Sequence, residues 1–356
     1  MNLASLGWTS FFESAWKELN PEGGWVPGRV LSVHRDLSRV LTENGEFEAR
    51  VSGKFRHFAG DKSTYPTVGD WVAVSVSDAK DLLTIHVLLP RLSKFSRKVP
   101  GMAAEEQVLA ANIDTAFMVT SLDDDFNLRR VEQYLTTAYD CGAVPVILLT
   151  KADLNTEADS LKREMEASAP GVPVFLINGL TGEGMEALGP HLQAGKTAVL
   201  LGSSGVGKST LLNQLMKADI QKTGEVREED SKGRHTTTHR EMFLLPSGAW
   251  VIDNPGLREF QLWDAEGIED VFPDILALAG GCKFSDCAHE AEPGCAVKNA
   301  VEVGTISVGR WESYEKLKKE QAYLERRVNQ KSAQDYKKKT KGIHQGMKKL
   351  PKKGML

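Results

Sequence analysis

The stretch TAVLLGSSGVGKSTLLNQLM, residues 197–216, decides the fold of this 356-residue chain. It opens with a short apolar run typical of a buried strand and closes with an amphipathic run typical of a helix. Between the two, GSSGVGKST matches the pattern G-x-x-x-x-G-K-[ST], with Gly202, Gly207, Lys208 and Ser209 at the fixed positions. A glycine-rich loop between a strand and a helix lets backbone N–H groups surround phosphates at the helix N-terminus. The sequence therefore predicts an α/β nucleotide-binding domain.

The side chains of this phosphate loop have distinct predicted roles. Lys208 adds a positive charge to the phosphates, and the Ser209 hydroxyl is suited to ligate Mg²⁺. The residues predicted to bind nucleotide here are Gly202, Ser203, Ser204, Gly205, Val206, Gly207, Lys208, Ser209 and Thr210. The alternative, a glycine-rich turn without a ligand, is disfavoured because a strand and a helix flank the loop.

A second motif, DNPG at residues 253–256, follows the apolar strand candidate AWVI. Asp253 would therefore stand at the carboxyl end of a strand, where ligands bind in sheets of this class. We expect Asp253 to hold Mg²⁺ through water and the Gly256 N–H to contact the γ-phosphate. Because D-x-P-G is also a common turn, its spacing from the phosphate loop carries the prediction.

The third motif, TKAD at residues 150–153, follows the strand candidate VPVILL and is predicted to read the base. The Asp153 carboxylate can accept hydrogen bonds from N1–H and the exocyclic amine of guanine, a donor pair that adenine lacks. Thr150 and Lys151 complete the motif, which usually begins with Asn. Thr150 keeps a hydroxyl but loses the amide, so we expect some loss of loop rigidity.

The order of the three motifs is circularly permuted. Here the base motif precedes the phosphate loop, which precedes Asp253, whereas ordinary GTPases begin with the phosphate loop. Moving the chain ends preserves packed contacts when the old ends lie close together. The strand candidates between about 110 and 260 are DTAFMVTS, VPVILLTK, PVFLIN, TAVLLG, EMFLLP and AWVIDNPG. Their continuous apolar runs, with amphipathic stretches between several of them, predict a mostly parallel sheet covered on both faces.

Residues 25–95 show a different pattern, in which short alternating strands are separated by turn signals such as Asn-Gly and Val-Gly-Asp. About five strands in about 70 residues suit a small closed barrel such as the OB-fold. Cations for phosphates and rings for bases make a single-stranded RNA surface, and this region offers both. The cationic candidates are Arg50, Lys54, Arg56 and Lys62, which surround Phe55 and Phe58. Both phenylalanines could equally be core residues.

The C-terminal part of the chain contains the pattern Cys282-x₄-Cys287-x-His289-x₅-Cys295. Three thiolates and one imidazole within 14 residues fit a closed tetrahedral site for one zinc ion. With four protein ligands and no open position, such a zinc is structural rather than catalytic. Cys141 stands apart from this cluster.

Positive charge is concentrated at one end of the chain. Residues 316–356 contain 14 Lys/Arg against 3 Asp/Glu, whereas the whole chain has a net charge of −4. A basic end on an acidic body predicts a segment that binds nucleic-acid phosphates; the alternative is a solvated helix and tail. No apolar run approaches the roughly 20 residues of a transmembrane helix, and the N-terminus lacks a signal-peptide pattern. We therefore expect a cytoplasmic protein without membrane contact, and a monomer.

In the order and wording of its motifs, including GRHTTTHRE at residues 233–241, the chain resembles the RsgA family of circularly permuted GTPases. The zinc pattern and the N-terminal barrel match too, so the resemblance covers nearly the whole chain. It implies an OB-fold, a permuted GTPase core that uses GTP with Mg²⁺, and a C-terminal zinc domain. Together these would bind the small ribosomal subunit and its rRNA late in assembly. The sequence departs from the family pattern at Thr150 and at Asn178-Gly179, where a Ser-Ala type loop is more common.

The polar segment 223–241 is predicted to be a switch that the γ-phosphate orders. Thr236 or Thr237 would supply a Mg²⁺ ligand, and Thr237 is our candidate. His235 and His239 are the candidates to position the attacking water, with His235 favoured by the resemblance.

Leu257 stands directly after Gly256, where many GTPases have a Gln that orients the attacking water. An apolar side chain cannot form that hydrogen bond. We therefore expect hydrolysis to be slow until the ribosome settles the switch segment.

The complete prediction is a multidomain protein that hydrolyses GTP to GDP and phosphate. Its segments are an N-terminal extension (1–24), an OB-fold RNA-binding domain (25–95), a circularly permuted GTPase domain (96–268), a mainly helical zinc-binding domain (269–330) and a basic tail (331–356). Two alternatives remain. An RNA-binding module that uses nucleotide only as a conformational ligand is favoured slightly by Leu257, and an ATP-dependent nucleic acid enzyme is disfavoured by Asp153.

Overall fold

The fold is taken from a computed structural model of the chain. The structure describes residues 2–21, 23–34, 36–76, 82–98, 106–123, 126–218, 240–253, 267–289, 292–323 and 326. The predicted basic tail lies outside these residues, and so does nearly all of the predicted switch segment.

The N-terminal part of the chain folds into a closed barrel. Ahead of it lie a 3-10 turn (Leu3–Leu6) and helix α1 (Ser10–Leu19). The barrel strands are β1 (Val26–His34), β2 (Leu37–Thr42), β3 (Gly45–Val51), β4 (Trp71–Val76) and β5 (Leu82–Leu88), with α2 (Gly53–Phe58) after β3. The strand order is β1-β2-β3-β5-β4, and β4 pairs again with β1. This closure confirms the predicted OB-fold barrel.

Alternation of side chains fills the barrel interior. Val30, Val40 and Val74 are wholly buried, because successive side chains of a strand point to opposite faces. The pairing of β3 with β5 is parallel, whereas β1 with β2 and β4 with β5 are antiparallel. Two further strands, β6 (Lys94–Lys98) and β7 (Glu106–Ala111), form an antiparallel pair that the sequence did not predict.

The central part of the chain forms a mostly parallel sheet with helical connections. Its elements are β8 (Thr115–Ser121), α3 (Leu128–Cys141), β9 (Val144–Thr150), α4 (Ala158–Ser168), β10 (Val174–Ile177), β11 (Thr197–Leu201), α5 (Lys208–Met216), β12 (Glu241–Leu244) and β13 (Trp250–Asp253). The order is β10-β9-β8-β11-β13-β12, and only the last pair is antiparallel among these described strands. Every residue of β8 and β11 is buried, as continuous apolar strands between helices require. The predicted α/β class is confirmed.

The barrel and the central sheet are joined by pairing between one strand of each. β1 pairs with β12 through Ser32 and Glu241, so the described residues form one sheet of eleven strands from β10 to β4. Arg39 on β2 reinforces the junction, because its guanidinium forms ion pairs with Glu46 and with Glu241. The barrel is therefore attached directly to the strand beside β13.

Arg29 on β1 is a buried cation at this junction. It donates hydrogen bonds to the Leu6 carbonyl and to the Thr197 hydroxyl (2.7 Å) and lies against the Trp71 ring. Burial lowers the pKa of Arg29 to about 10. The N-terminal turn, the barrel and the first residue of β11 are thus held by one side chain.

The C-terminal part of the chain is helical. Its helices are α6 (Ile268–Val271), α7 (Pro273–Ala279), α8 (Ala296–Glu302) and α9 (residues 308–323). α9 lies within the segment predicted to be mainly helical, and its Tyr314 ring packs against Phe272 at 5.4 Å. None of the helices in the described ranges is long and apolar enough to cross a membrane.

We predict that Gly69→Ala destabilises the fold much more than Gly171→Ala does. Both glycines have a positive φ, +87° at Gly69 and +80° at Gly171. A Cβ at Gly69 would lie 2.2 Å from the Ala111 carbonyl oxygen, whereas a Cβ at Gly171 would have no atom within 4 Å. The φ strain alone costs about 1–2 kcal/mol, and the clash brings the loss at Gly69 to about 3 kcal/mol or more. Urea unfolding curves measure both losses. Equal losses would contradict the close approach of the barrel to β7.

Candidate nucleotide site and metal centre

Three motifs meet at the carboxyl edge of the central sheet. β9 ends at Thr150, β11 leads into the phosphate loop, and β13 ends at Asp253. The strands are in register there, with Leu200 opposite Asp253 and Ser121 opposite Thr150. Residues far apart in the chain are therefore brought to the edge where ligands bind in such sheets.

The phosphate loop has the backbone that its glycines allow. Gly202 has φ +153°, and a Cβ there would lie 2.3 Å from the Val119 carbonyl oxygen. Gly207, at φ +97°, is the N-cap of α5, so the N–H groups of the first helical turn face the loop. The Lys208 ammonium lies inside the loop and donates to the carbonyls of Gly202 (2.8 Å) and Ser203. This arrangement can surround an anion with N–H groups and one buried cation.

Thr150 fastens the base motif to the phosphate loop. Its buried hydroxyl donates to the Val206 carbonyl at 2.6 Å, 56 residues away in the chain. Lys151 has φ +58°, and its ammonium pairs with Asp123 at 2.7 Å. Asp153 is exposed and faces the solvent at this edge. The hydroxyl that Thr150 keeps therefore ties the two motifs together, a contact that the sequence did not identify.

The loop after β10 lies beside α5. The Asn178 side-chain oxygen accepts hydrogen bonds from the N–H groups of Leu180 (2.9 Å) and Thr181 (3.1 Å). A Cβ at Gly179 would approach the Thr210 methyl at 3.3 Å, which is tighter than ordinary contact. An Ala at position 179 would therefore press on the Thr210 side chain.

Asp253 is the described member of the DNPG motif. Asp253 is buried and stands at the end of β13. The residues that lie outside the described ranges are His235, Thr236, Thr237, His239, Gly256 and Leu257.

Arg130 reaches the phosphate loop, and sequence reasoning missed it. It stands at the third position of α3, and its Nη1 donates to the Ser203 hydroxyl at 2.8 Å. Ser203 is buried, with 8% of its surface exposed. No local pattern in the sequence indicates this contact, because the two residues are 73 positions apart.

The predicted metal ligands come together in the C-terminal part of the chain. One ligand atom from each of Cys282, Cys287, His289 and Cys295 lies within 4.8 Å of the others. Cys282 Sγ is 3.9 Å from Cys295 Sγ and 3.6 Å from His289 Nδ1, which is 3.3 Å from Cys295 Sγ. Ligands bonded to a tetrahedral zinc are separated by about 3.5–3.8 Å. The four residues therefore could hold a metal ion of this size.

The barrel surface offers the predicted cations and an aromatic groove. Arg50, Lys54, Arg56 and Lys62 are all exposed. Phe58 is 75% exposed, so it is not a core residue. A groove of about 740 Å³ lies between α2 and β5 and is lined by Phe58 and by Trp25, whose ring stacks on His86 at 4.4 Å.

Comparison with known proteins identifies close relatives. The sequence model described as RsgA GTPase matches residues 88–263, and one described as ABC transporter matches residues 186–351, a span that includes the phosphate loop. The protein named small ribosomal subunit biogenesis GTPase RsgA from Opitutus terrae is 45% identical, over 98% of this chain and 97% of that one. A protein of the same name from Methanosarcina acetivorans is 43% identical, over 90% and 86%.

Two solved structures have a similar fold. The crystal structure of YjeQ from Thermotoga maritima has a TM-score of 0.62 and 29% identity, and the match covers 84% of this chain and 99% of that one. YloQ, described as a circularly permuted GTPase, has a TM-score of 0.60 and 24% identity, with 84% and 96% covered.

We predict that Thr150→Val weakens GDP binding by about tenfold, because the buried Val206 carbonyl loses its donor while the side-chain shape is kept. Titration with a fluorescent GDP analogue measures the affinity. Thr150→Ser retains the hydroxyl and serves as the matched control, for which we expect an affinity close to that of the wild type. An unchanged affinity in Thr150→Val would show that the hydrogen bond does not support the site.

Proposed function

Because the chain belongs to the RsgA family of GTPases, we propose that this GTP-hydrolysing enzyme acts in late maturation of the small ribosomal subunit and that the subunit stimulates its hydrolysis. The observation that carries the proposal is the direct attachment of the barrel to the nucleotide-binding sheet, through the pairing of Ser32 with Glu241. The barrel, with its surface suited to RNA, and the GTP site are then built on one continuous sheet. The subunit, its rRNA and GTP or GDP are the proposed partners.

The proposed chemistry is attack of water on the γ-phosphate. Bound Mg²⁺ would neutralise charge on the β- and γ-phosphates. Ser209 and Asp253 are suited to hold it, together with Thr237 of the switch segment. Lys208 contributes a second positive charge, and Asp153 selects guanine.

The switch residues are the proposed target of the activator. His235 or His239 would position the water, since Leu257 cannot. We propose that hydrolysis stays slow until the subunit orders these residues.

The barrel is the proposed rRNA-binding domain. Phe58 and the Trp25–His86 stack offer faces to unstacked bases, and the exposed cations of α2 and its neighbours offer charge to phosphates. The contact residues we propose are Arg50, Lys54, Arg56 and Lys62. The segment limits given above, cytoplasmic residence and a monomeric state are part of the same proposal.

The metal of the cysteine cluster is proposed to be zinc. Thiolates and imidazole are the ligands that zinc prefers, and four protein ligands leave no position for a substrate. The ion would connect the loop after α7 with the start of α8, and its role would be to stabilise the helical part of the chain. Cys295 already caps α8, since its sulfur accepts a hydrogen bond from the Lys298 N–H.

We predict that purified small subunits raise steady-state GTP hydrolysis by at least about a hundredfold, as a partner that completes a GTPase site does. Ser209→Ala should abolish the stimulated rate because the hydroxyl that ligates Mg²⁺ is lost. Ser247→Ala, in the exposed turn between β12 and β13, is the matched control and should behave as wild type.

The same assay tests the barrel surface. Lys54→Glu should raise the subunit concentration needed for half-maximal stimulation, whereas Lys17→Glu on α1 should not, because Lys17 lies outside the proposed RNA surface. Equal rates of GTP hydrolysis by the wild type with and without subunits would contradict the proposal that the small subunit is the activator, and another activator would have to be found.

We further predict about one zinc ion per purified chain, measured by elemental analysis. Cys287→Ser should lower the zinc content and the melting temperature, because structural zinc contributes folding free energy. Cys141→Ala, outside the cluster, should retain full zinc. A different metal in the wild type, or zinc retained by Cys287→Ser, would contradict the assignment.

A further inference from the structure

Helix α3 carries neighbouring contacts to two distant parts of the molecule. Arg130 reaches Ser203 of the phosphate loop, and Glu132, two positions later, reaches Arg310 and Ser313 of α9. The two residues are separated by about 3 Å along a helix axis. A rigid-body displacement of α3 would therefore move both contacts.

The contact at the phosphate loop places a second cation there. Arg130 donates to the Ser203 hydroxyl, and the carbonyl of the same Ser203 accepts from Lys208. Ser203 is thereby held from both sides. A guanidinium that fixes a loop residue reduces the conformational freedom that nucleotide binding would otherwise have to remove.

The contact at α9 is buried and specific. Glu132 is 3% exposed, and burial raises its pKa, while Arg310 and Ser313 act in the opposite sense. Arg310 also pairs with Asp274 at 2.6 Å and donates to the Val271 carbonyl at 2.9 Å. Because a buried carboxylate is stable only with its partners, the position of α3 depends on the docking of α9.

A neighbouring ion pair provides an internal comparison. Arg129 on α3 pairs with Glu312 on α9, so it joins the same two helices. Both side chains are about half exposed, at 49% and 54%, and surface pairs of this kind contribute little.

We propose that Arg130 is a positioning residue of the GTP site and that α3 couples the docking of α9 to the affinity of the phosphate loop for nucleotide. A ligand of α9 that displaces α3 would then change nucleotide affinity, and nucleotide would change the affinity for that ligand by the same factor. The nature of such a ligand rests on the function proposed above, whereas the coupling within the chain does not.

The first test measures GDP affinity by titration with a fluorescent analogue, without ribosomal subunits. Arg130→Ala should bind GDP about tenfold more weakly, and Arg130→Lys should recover part of the loss. Arg129→Ala should bind as wild type. In a double-mutant cycle, Ser203→Ala should cause no further loss when Arg130 is already Ala. Additive losses, or full affinity in Arg130→Ala, would overturn the role of Arg130.

The second test measures the coupling. Ser313→Ala removes one donor to Glu132 without emptying the buried space, and should weaken GDP binding by about threefold in the presence of Arg130. In an Arg130→Ala background the same substitution should have no effect. A thermal melt of each variant, monitored by circular dichroism, establishes that it is folded.

The outcomes separate this inference from the proposed function. If folded Ser313→Ala binds GDP as wild type does, or if its effect adds fully to that of Arg130→Ala, the coupling is overturned. Neither result depends on ribosomal stimulation, which is measured separately with the wild type and Ser209→Ala.

Discussion

Parallel pairing of β8, β9, β11 and β13 is the constraint on which the rest of the site depends. Parallel strands end at one edge of a sheet, so the phosphate loop, Thr150 and Asp253 meet there although they occur in permuted order along the chain. The register is maintained by backbone hydrogen bonds between buried strands, which do not depend on where the chain begins. The hydrogen bond from the Thr150 hydroxyl to the Val206 carbonyl then joins the base motif to the phosphate loop, whose order along the chain the permutation has exchanged.

Sequence reasoning predicts those features whose physical cause is local. The phosphate loop requires glycines between a strand and a helix, the buried strands require continuous apolar runs, and the Cys₃His cluster requires four ligands at short spacing. All three were identified from the sequence. The pair β6 and β7 was missed because KFSRK and EQVLAA are short and partly polar. Arg130 and the role of Thr150 were missed because their partners, Ser203 and Val206, are remote in sequence.

Arg29, which is buried, and Arg310, whose side chain is 10% exposed, join separate parts of the fold in a similar way. Arg29 joins the N-terminal turn, the barrel and the start of β11, and Arg310 joins α9 to α3 and α7. A buried guanidinium is expensive to desolvate unless its N–H groups find acceptors in a fixed arrangement. Such residues therefore specify one relative placement of the units more than they add net stability. Their planar, forked donors fit carboxylates and backbone carbonyls in a fixed geometry, which the rotatable N–H groups of an ammonium do not provide.

The nucleotide site consequently lies between two fixed attachments. On one side, β12 connects β13 to the barrel through Ser32, Glu241 and Arg39; on the other, α3 connects the phosphate loop to α9. A ligand shifts a conformational equilibrium only by its differential affinity for the two states. Binding at the barrel or at α9 can therefore influence the nucleotide only if it displaces β12 or α3, and each of these elements touches a different part of the site. In this fold, the two attachments contact different parts of the proposed site, β12 at the strand that ends in Asp253 and α3 at the phosphate loop.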